Sequence, residues 1–167
     1  MKSRLYVFGQ FALLLLLLIW PDDVVGWGFL DILFEIVAVL FFFGGATVVV
    51  LAIRELFNSS LPKLAGSAKE KFLQAIRVVM PEPTEDAKLV TTGIFKSVRH
   101  PIYSGLILIG YSIGIGSGPW PHLFFAIGLH VVLHYKSLLE EKFLATKFKT
   151  YKKYATTAGH FFPKVED

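Results

Sequence analysis

From Pro101 to Tyr135 the chain runs for 35 residues without a single Asp, Glu, Lys or Arg. As one helix this block would be about 52 Å long, far more than the ~30 Å hydrocarbon core of a bilayer. Gly116-Ser117-Gly118-Pro119-Trp120-Pro121 lies at its middle and breaks a helix. The block is therefore expected to fold as a hairpin of two apolar helices. Leu5 to Pro21 and Ile36 to Ile53 are also free of formal charge. Uncharged runs of about 18 residues or more read as membrane spans, which gives four in all.

Charge placement orients the spans. Of 17 Lys and Arg, two precede the first span, eight lie between Arg54 and Arg99, and seven lie from Lys136 onward. The first connecting loop holds Asp22 and Asp23 instead, and the Gly-Pro hairpin has no charge. With four spans every basic residue falls on one side, the cytoplasmic one by the positive-inside rule. Both termini are then expected to be cytoplasmic. The net charge of +4 follows from loops beside anionic headgroups and requires no nucleic acid. Lys2, Arg4 and the Leu run imitate a signal peptide, but Trp20-Pro21-Asp22-Asp23 offers no small-x-small cleavage site, so a retained helix is expected. The absence of cysteine excludes disulfides and thiolate metal sites.

Asp31 and Glu35 share one face of the second span, which starts near Phe29, and sit close to water at its outer end. Gly44-Gly45, and the Gly110-x-x-x-Gly114 pair with Gly105 in the third span, suit close helix packing. Asn58 to Asp86 is the longest polar segment. Within it, Ser67-Ala68-Lys69-Glu70 has the capping-box pattern, and Phe72, Leu73, Ile76, Val79 and Met80 follow at helical spacing before Pro81 and Pro83. This predicts an interfacial amphipathic helix, or a lid over a site. The organisation is residues 1–57 as N-terminal transmembrane helices, 58–88 as a cytoplasmic interfacial segment and 89–167 as a C-terminal core.

Two polar clusters flank the hairpin: Arg99-His100-Pro101-x-Tyr103 before it, and Lys136 with Glu140-Glu141 after it. Antiparallel helices bring these ends side by side, which predicts a site for a polar ligand at the cytoplasmic surface. Arg and Glu at helix ends are also common interfacial anchors. His130 and His134, four apart with Glu141 on the same face, could hold zinc, but the Glu of a His-Glu-x-x-His motif is missing, so no metal is expected. His122 and His160 read as interfacial residues, and Tyr111, Trp27 and Trp120 as packing or belt aromatics.

Leu89-Val90-Thr91-Thr92-Gly93-Ile94-Phe95-x-x-x-Arg99-His100-Pro101-x-Tyr103, followed by Glu140-Glu141-x-x-Leu144-x-x-x-Phe148-x-x-Tyr151-x-x-Tyr154, closely resembles the isoprenylcysteine carboxyl methyltransferase and phospholipid methyltransferase families. The resemblance runs from Leu89 to Pro163; the N-terminal half matches only as generic membrane helices. It implies an all-α integral membrane enzyme of about four transmembrane helices, with a C-terminal helical hairpin and a cytoplasmic pocket for S-adenosylmethionine. By position, Lys88, Leu89 and Val90 would line the cofactor through backbone, with Phe95 where the family usually has Tyr. His100, Pro101, Ile102 and Tyr103 would hold its amino-acid end and sulfonium neighbourhood, and Glu140, with Glu141 beside it, its ammonium or ribose. Lys136 stands where the family keeps an Arg that faces the substrate carboxylate, and with Arg99 is a candidate catalytic residue. Lys149 replaces the Gly that usually follows the Phe.

The implied reaction is methyl transfer to a carboxylate on a small or lipid-tethered, prenylcysteine-like acceptor. It needs no general base, because a carboxylate is already ionised at neutral pH, and it depends on alignment and exclusion of water. A nicotinamide-dependent membrane reductase of similar hairpin and a non-catalytic membrane scaffold are the alternatives. For Lys136 the spacing allows two directions: toward Glu140 one turn later, or into the acceptor entrance, the expected one.

Overall fold

The computed structural model describes residues 2–22, 26–59, 88–118 and 120–164. The helix expected after Ser67 lies outside them. Five α-helices are described: α1 (Lys2–Ile19), α2 (Asp31–Ser59), α3 (Pro101–Gly116), α4 (His122–Lys147) and α5 (Tyr151–Thr157), with 3-10 turns at Gly28–Leu30 and Gly93–Lys96. The β-structure among the described residues is a single bridge, between Val98 and Gly159.

Each boundary has a local cause. The Leu run of α1 stops before Trp20-Pro21. Asp31 opens α2 and its carboxylate accepts the Trp27 N–H at 2.5 Å, which gives this acid a capping role. Pro101 occupies the first turn of α3, where no donor is needed. The hairpin turns through Gly118 at φ +98°. As expected, α4 continues past the apolar block through Glu140 and Glu141 without a break.

Packing joins the helices as α2 on α3, α3 on α4, and α4 on α1. Residue pairings make every one of these contacts antiparallel. Gly45 meets Gly105 while Ala38 meets Ser112, and Gln10 meets Lys136 while Trp20 meets His122. The crossing of α2 and α3 is tight enough to require glycine. A Cβ on Gly105 would lie 2.5 Å from Val49 Cγ2 and 2.6 Å from the Gly45 carbonyl oxygen. Gly110 and Gly114 admit α4 in the same way, with Leu129 Cδ2 and Leu123 Cα each 3.1 Å from the respective Cβ positions. Gly44 faces open space, so only Gly45 of that pair serves packing.

The polarity is inverted relative to a soluble bundle. Gln10, Ser104, Ser112, His122, Lys136 and Ser137 are buried, whereas Leu5, Phe8, Leu18, Ile32, Leu40 and Phe43 are mostly exposed. A water-soluble monomer rarely exposes an apolar surface of that extent. Gly28–Ser59 and His122–Lys147 are long and apolar enough to cross a membrane; Ser3–Ile19 and Pro101–Gly116 are apolar but shorter.

The bundle has two unlike ends. At one, the Trp27 indole donates to the Ile115 carbonyl at 2.8 Å, and His122 Nε2 lies 3.2 Å from the Trp20 carbonyl and 3.9 Å from Asp22. His122 is thus a buried packing residue, not the interfacial one expected from sequence, because α1 folds back over the start of α4. At the other end, the Thr92 hydroxyl donates to Glu55 at 2.5 Å, joining α2 to the turn that precedes Arg99. Gly93 makes that junction possible: its φ is +56°, and a Cβ there would strike the Glu55 carboxylate.

Candidate active site

The end of the bundle marked by Thr92 collects nearly all of the polar residues that the two motifs suggested. Glu141 is its hub. Its Oε1 accepts Arg99 Nε at 2.8 Å and lies 3.1 Å from His100 Nε2. Glu140, the next residue on α4, turns the other way: its Oε2 accepts the Tyr103 hydroxyl at 2.9 Å and lies 3.7 Å from His100 Nδ1. His100 and Tyr103 stack with their rings within 2° of parallel. The hairpin has therefore brought Arg99, His100 and Tyr103 against both carboxylates.

Sequence reasoning did not foresee the third wall, supplied by the C-terminal segment. Arg99 N–H donates to the Gly159 carbonyl at 2.8 Å, His100 N–H to that of His160 at 3.2 Å, and Gly159 N–H to that of Ser97 at 2.9 Å. The Arg99 guanidinium also donates to the Ala155 and Ala158 carbonyls, at 3.0 and 2.5 Å. These bonds set the His160 ring 5.2 Å from that of His100, with Nε2 2.7 Å from the Ser137 hydroxyl and 3.9 Å from Glu141 Oε1. His160 is thus a site residue, which corrects the interfacial reading. Burial and the neighbouring His100 push its pKa down to about 4, against the pull of Glu141. His100, Glu141 and His160 bring three possible ligand atoms within 4.8 Å of one another. The Arg99 guanidinium already occupies the shared carboxylate oxygen, so the trio reads as an ion-paired cluster and not as a cation cradle. The other histidine pair does not converge: His130 Nδ1 lies 3.1 Å from the Tyr111 hydroxyl, and His134 is exposed.

Lys136 does not bond to Glu140, the first of the two directions its spacing allowed. Fully buried, it sends Nζ across to α1, where it donates to Gln10 Oε1 at 2.7 Å, and it sits 5.0 Å from the centroid of the Tyr103 ring. Gln10 was missed, although a carboxamide inside an uncharged span is itself a signal. The remaining expected residues line the approach. Lys88 is exposed, Leu89 half-buried, and Val90 and Phe95 pack with Ala52 while Ile102 lies against them. Pro101 is buried at the start of α3. The Phe95 carbonyl accepts the Tyr154 hydroxyl at 2.6 Å, and burial raises that hydroxyl to about 12.

Three features suit the cofactor that the resemblance implies. Lys88 to Thr91 forms no helix or strand and makes no backbone–backbone hydrogen bond among the described residues, so its peptide groups suit the polar edge of a heterocycle. Burial, together with the Glu141 carboxylate beside it, raises the pKa of the Tyr151 hydroxyl, which adds a polar group to the wall of the site. Glu140 Oε1 makes no hydrogen bond or ion pair among the described residues, which suits a cation.

No curated protein matches the chain. A family model described as phospholipid methyltransferase matches residues 68–151, half of the chain, spanning the first motif, the hairpin and the second motif as far as Tyr151. The chain belongs to the phospholipid methyltransferase family, and methyl transfer is the class of reaction that membership gives it.

Proposed function

We propose that the protein transfers a methyl group from S-adenosylmethionine to a carboxylate on a lipophilic, prenylcysteine-like acceptor at the cytoplasmic face of a membrane. The chain crosses that membrane four times with both termini cytoplasmic. Residues 1–57 form the N-terminal spans, 58–88 the interfacial segment and 89–167 the core. One observation carries the reading: Arg99, His100 and Tyr103 meet Glu140 and Glu141 at a single end of the bundle. Alternation of helix direction and the lack of Lys and Arg from the first connecting loop and from the hairpin support the topology. Helix α3, with 16 residues, is about 24 Å long, so a thinned bilayer or a tilted neighbour accommodates it.

The cofactor supplies an electrophilic methyl on a sulfonium; the protein positions it and keeps water out. Glu140 would pair with the cofactor's ammonium, the Tyr151 hydroxyl and the Lys88–Val90 backbone would hold its polar edges, and His100 and Tyr103 fix Glu140 in place. Lys136, buried and near Tyr103, attracts the acceptor's negative charge. Isothermal titration of the purified protein with S-adenosylmethionine tests this. His100→Ala and Glu140→Ala should each weaken binding at least tenfold, and His122→Ala, at the far end, should leave it unchanged. Equal affinities across the set would remove the pocket. Binding of a nicotinamide dinucleotide in place of S-adenosylmethionine would support the reductase alternative, and binding of neither would support the scaffold.

A further inference from the structure

The backbone from Lys88 to Thr92 has little of its own to hold it in place. Lys88 to Thr91 makes no backbone–backbone hydrogen bond among the described residues, and the first such bond of the stretch runs from the Phe95 N–H to the Thr92 carbonyl at 3.1 Å. Pairing with the C-terminal segment begins only at Ser97. Backbone with so few bonds of its own opens easily unless side chains tie it down.

The ties come from one turn of α2. Ala52, fully buried, packs with Val90 and Phe95, and Leu56 lies against them. Glu55 shares that turn. Its Oε1 accepts the Thr92 hydroxyl at 2.5 Å and the Ser59 hydroxyl at 2.9 Å. The fit is steric as well as electrostatic. Gly93, at φ +56°, presents a bare α-carbon to the same carboxylate, and a Cβ built there would lie 2.5 Å from Oε2 and 2.6 Å from Cδ. One oxygen thus holds Thr92 while the other abuts the next residue. Hydration alone accounts for an acid near a helix end; it does not account for a carboxylate that receives a hydroxyl 37 positions away and a glycine shaped to it. Glu55 stands outside the family match at 68–151, so this wall is held by the chain's own N-terminal half.

We propose that Glu55 is a positioning residue for the cofactor: through Thr92 and Gly93 it fixes the Lys88–Val90 backbone in the place where the cofactor is received. It touches neither cofactor nor acceptor. The role rests on the methyl-transfer reading for its purpose, whereas the clasp exists without the cofactor. A segment that is untied spends only part of its time in the receptive place, and the apparent affinity falls by that fraction. Water reaches this clasp, so a loss of about fivefold is expected, not complete failure to bind.

The test uses the full chain in phosphatidylcholine nanodiscs, with S-adenosylmethionine affinity from isothermal titration and hydrogen exchange of the ligand-free protein. Glu55→Ala should weaken binding about fivefold. Thr92→Val, isosteric but without the hydroxyl, should do the same, and Thr92→Ser, which keeps it, should bind as the wild type does. Glu55→Ala with Thr92→Val should bind no more weakly than either alone, because both remove one interaction. In the ligand-free protein the Phe95, Ser97 and Val98 amides, which bond to Thr92 and Ile94, should exchange faster in Glu55→Ala, while peptides spanning 122–139 keep the wild-type rate. Undiminished affinity in Glu55→Ala, equal weakening by Thr92→Ser and Thr92→Val, or additive losses in the double variant overturns the proposal. Should Glu55→Ala fail to fold, the Thr92 pair decides alone. A wild type that binds no S-adenosylmethionine would defeat the methyl-transfer reading, and the exchange comparison would still decide whether Glu55 holds the segment.

Discussion

Arg99 ties three parts of the chain together, and its removal should release one of them. The guanidinium gives Nε to Glu141 on α4 and Nη1 to the Ala155 and Ala158 carbonyls. Ala155 lies in α5 and Ala158 just past its end, where carbonyls lack helical partners and a cation is favourable. The Arg99 side chain is 12% exposed and that of Glu141 20%, so water screens the pair only in part. Hydrogen bonds to a charged group contribute about 1.5–3 kcal/mol each, and three from one side chain are not additive, so Arg99→Ala should cost about 3 kcal/mol locally. At about 1.4 kcal/mol per tenfold, that is on the order of a hundredfold in the opening equilibrium of the C-terminal segment. Hydrogen exchange read by mass spectrometry over peptides spanning 151–164 measures it. The Ala158 and Gly159 amides, which bond to Tyr154 and Ser97, should lose about two decades of protection. Arg99→Lys keeps the charge but cannot reach three acceptors at once, so about one decade is expected. Unchanged exchange in Arg99→Ala would refute the clamp, and with it the idea that the C-terminal wall depends on this residue.

Three further outcomes follow from the structure. Gly105→Ala should destabilise by about 1–3 kcal/mol, because its Cβ strikes backbone of α2, whereas Gly44→Ala should be neutral or stabilise by up to about 1 kcal/mol; thermal unfolding in detergent compares them. Single cysteines at Asn58, Lys88 and Lys164 should react with an impermeant maleimide from the cytoplasmic side, and those at Asp22 and Gly118 from the opposite side; cytoplasmic labelling at 118 would exclude four spans. His160, held near pKa 4 in the fold, resists a proton that the unfolded chain accepts near 6.5. Its contribution to stability is therefore complete above about pH 6.5 and declines as pH falls toward 4, and His160→Asn should flatten the unfolding profile across that window.

What the sequence disclosed was whatever depends on neighbours along the chain. The uncharged block from Pro101 to Tyr135 could not remain one helix, so the hairpin followed, and with it the meeting of His100 with Glu140 and Glu141. The continuation of α4 through those acids was legible for the same reason. What stayed hidden depends on contacts distant in sequence. Lys136 could be assigned a direction only by knowing that α1 packs on α4, and Gln10, the one polar mark within the apolar run of α1, does not by itself name its partner. His160 enters the site through backbone pairing of residues 97–100 with 159–160, for which single bonds between short extended segments leave no periodic pattern. His122 gave the wrong impression because its burial at the start of α4 goes with a contact to the Trp20 carbonyl just past the end of α1. Phe95 illustrates an intermediate case: the motif marked the position, while its burial and the function of its carbonyl as acceptor for Tyr154 are invisible in the side-chain pattern.

Two adjacent acids on α4 are given unlike tasks by helix geometry alone. Successive residues point about 100° apart around an α-helix, so Glu140 and Glu141 cannot face the same neighbour. Glu141 turns toward Arg99, His100 and the C-terminal segment, and Oε1 carries both of its bonds. A carboxylate so engaged has little left to offer a ligand, and its removal strands a half-buried guanidinium. Glu140 turns toward Tyr103, holds one hydrogen bond, and is the more exposed of the pair. His100 stands between them, with one ring nitrogen toward each acid, so its orientation is set by both. The division has a measurable consequence. Glu141→Gln should lower stability and loosen residues 151–164 in the manner of Arg99→Ala, with cofactor affinity reduced only as far as the wall is disordered. Glu140→Gln should leave stability and exchange nearly unchanged and weaken S-adenosylmethionine binding directly. If the two variants proved interchangeable in both measurements, the ammonium would have to be sought at the cluster as a whole and not at Glu140.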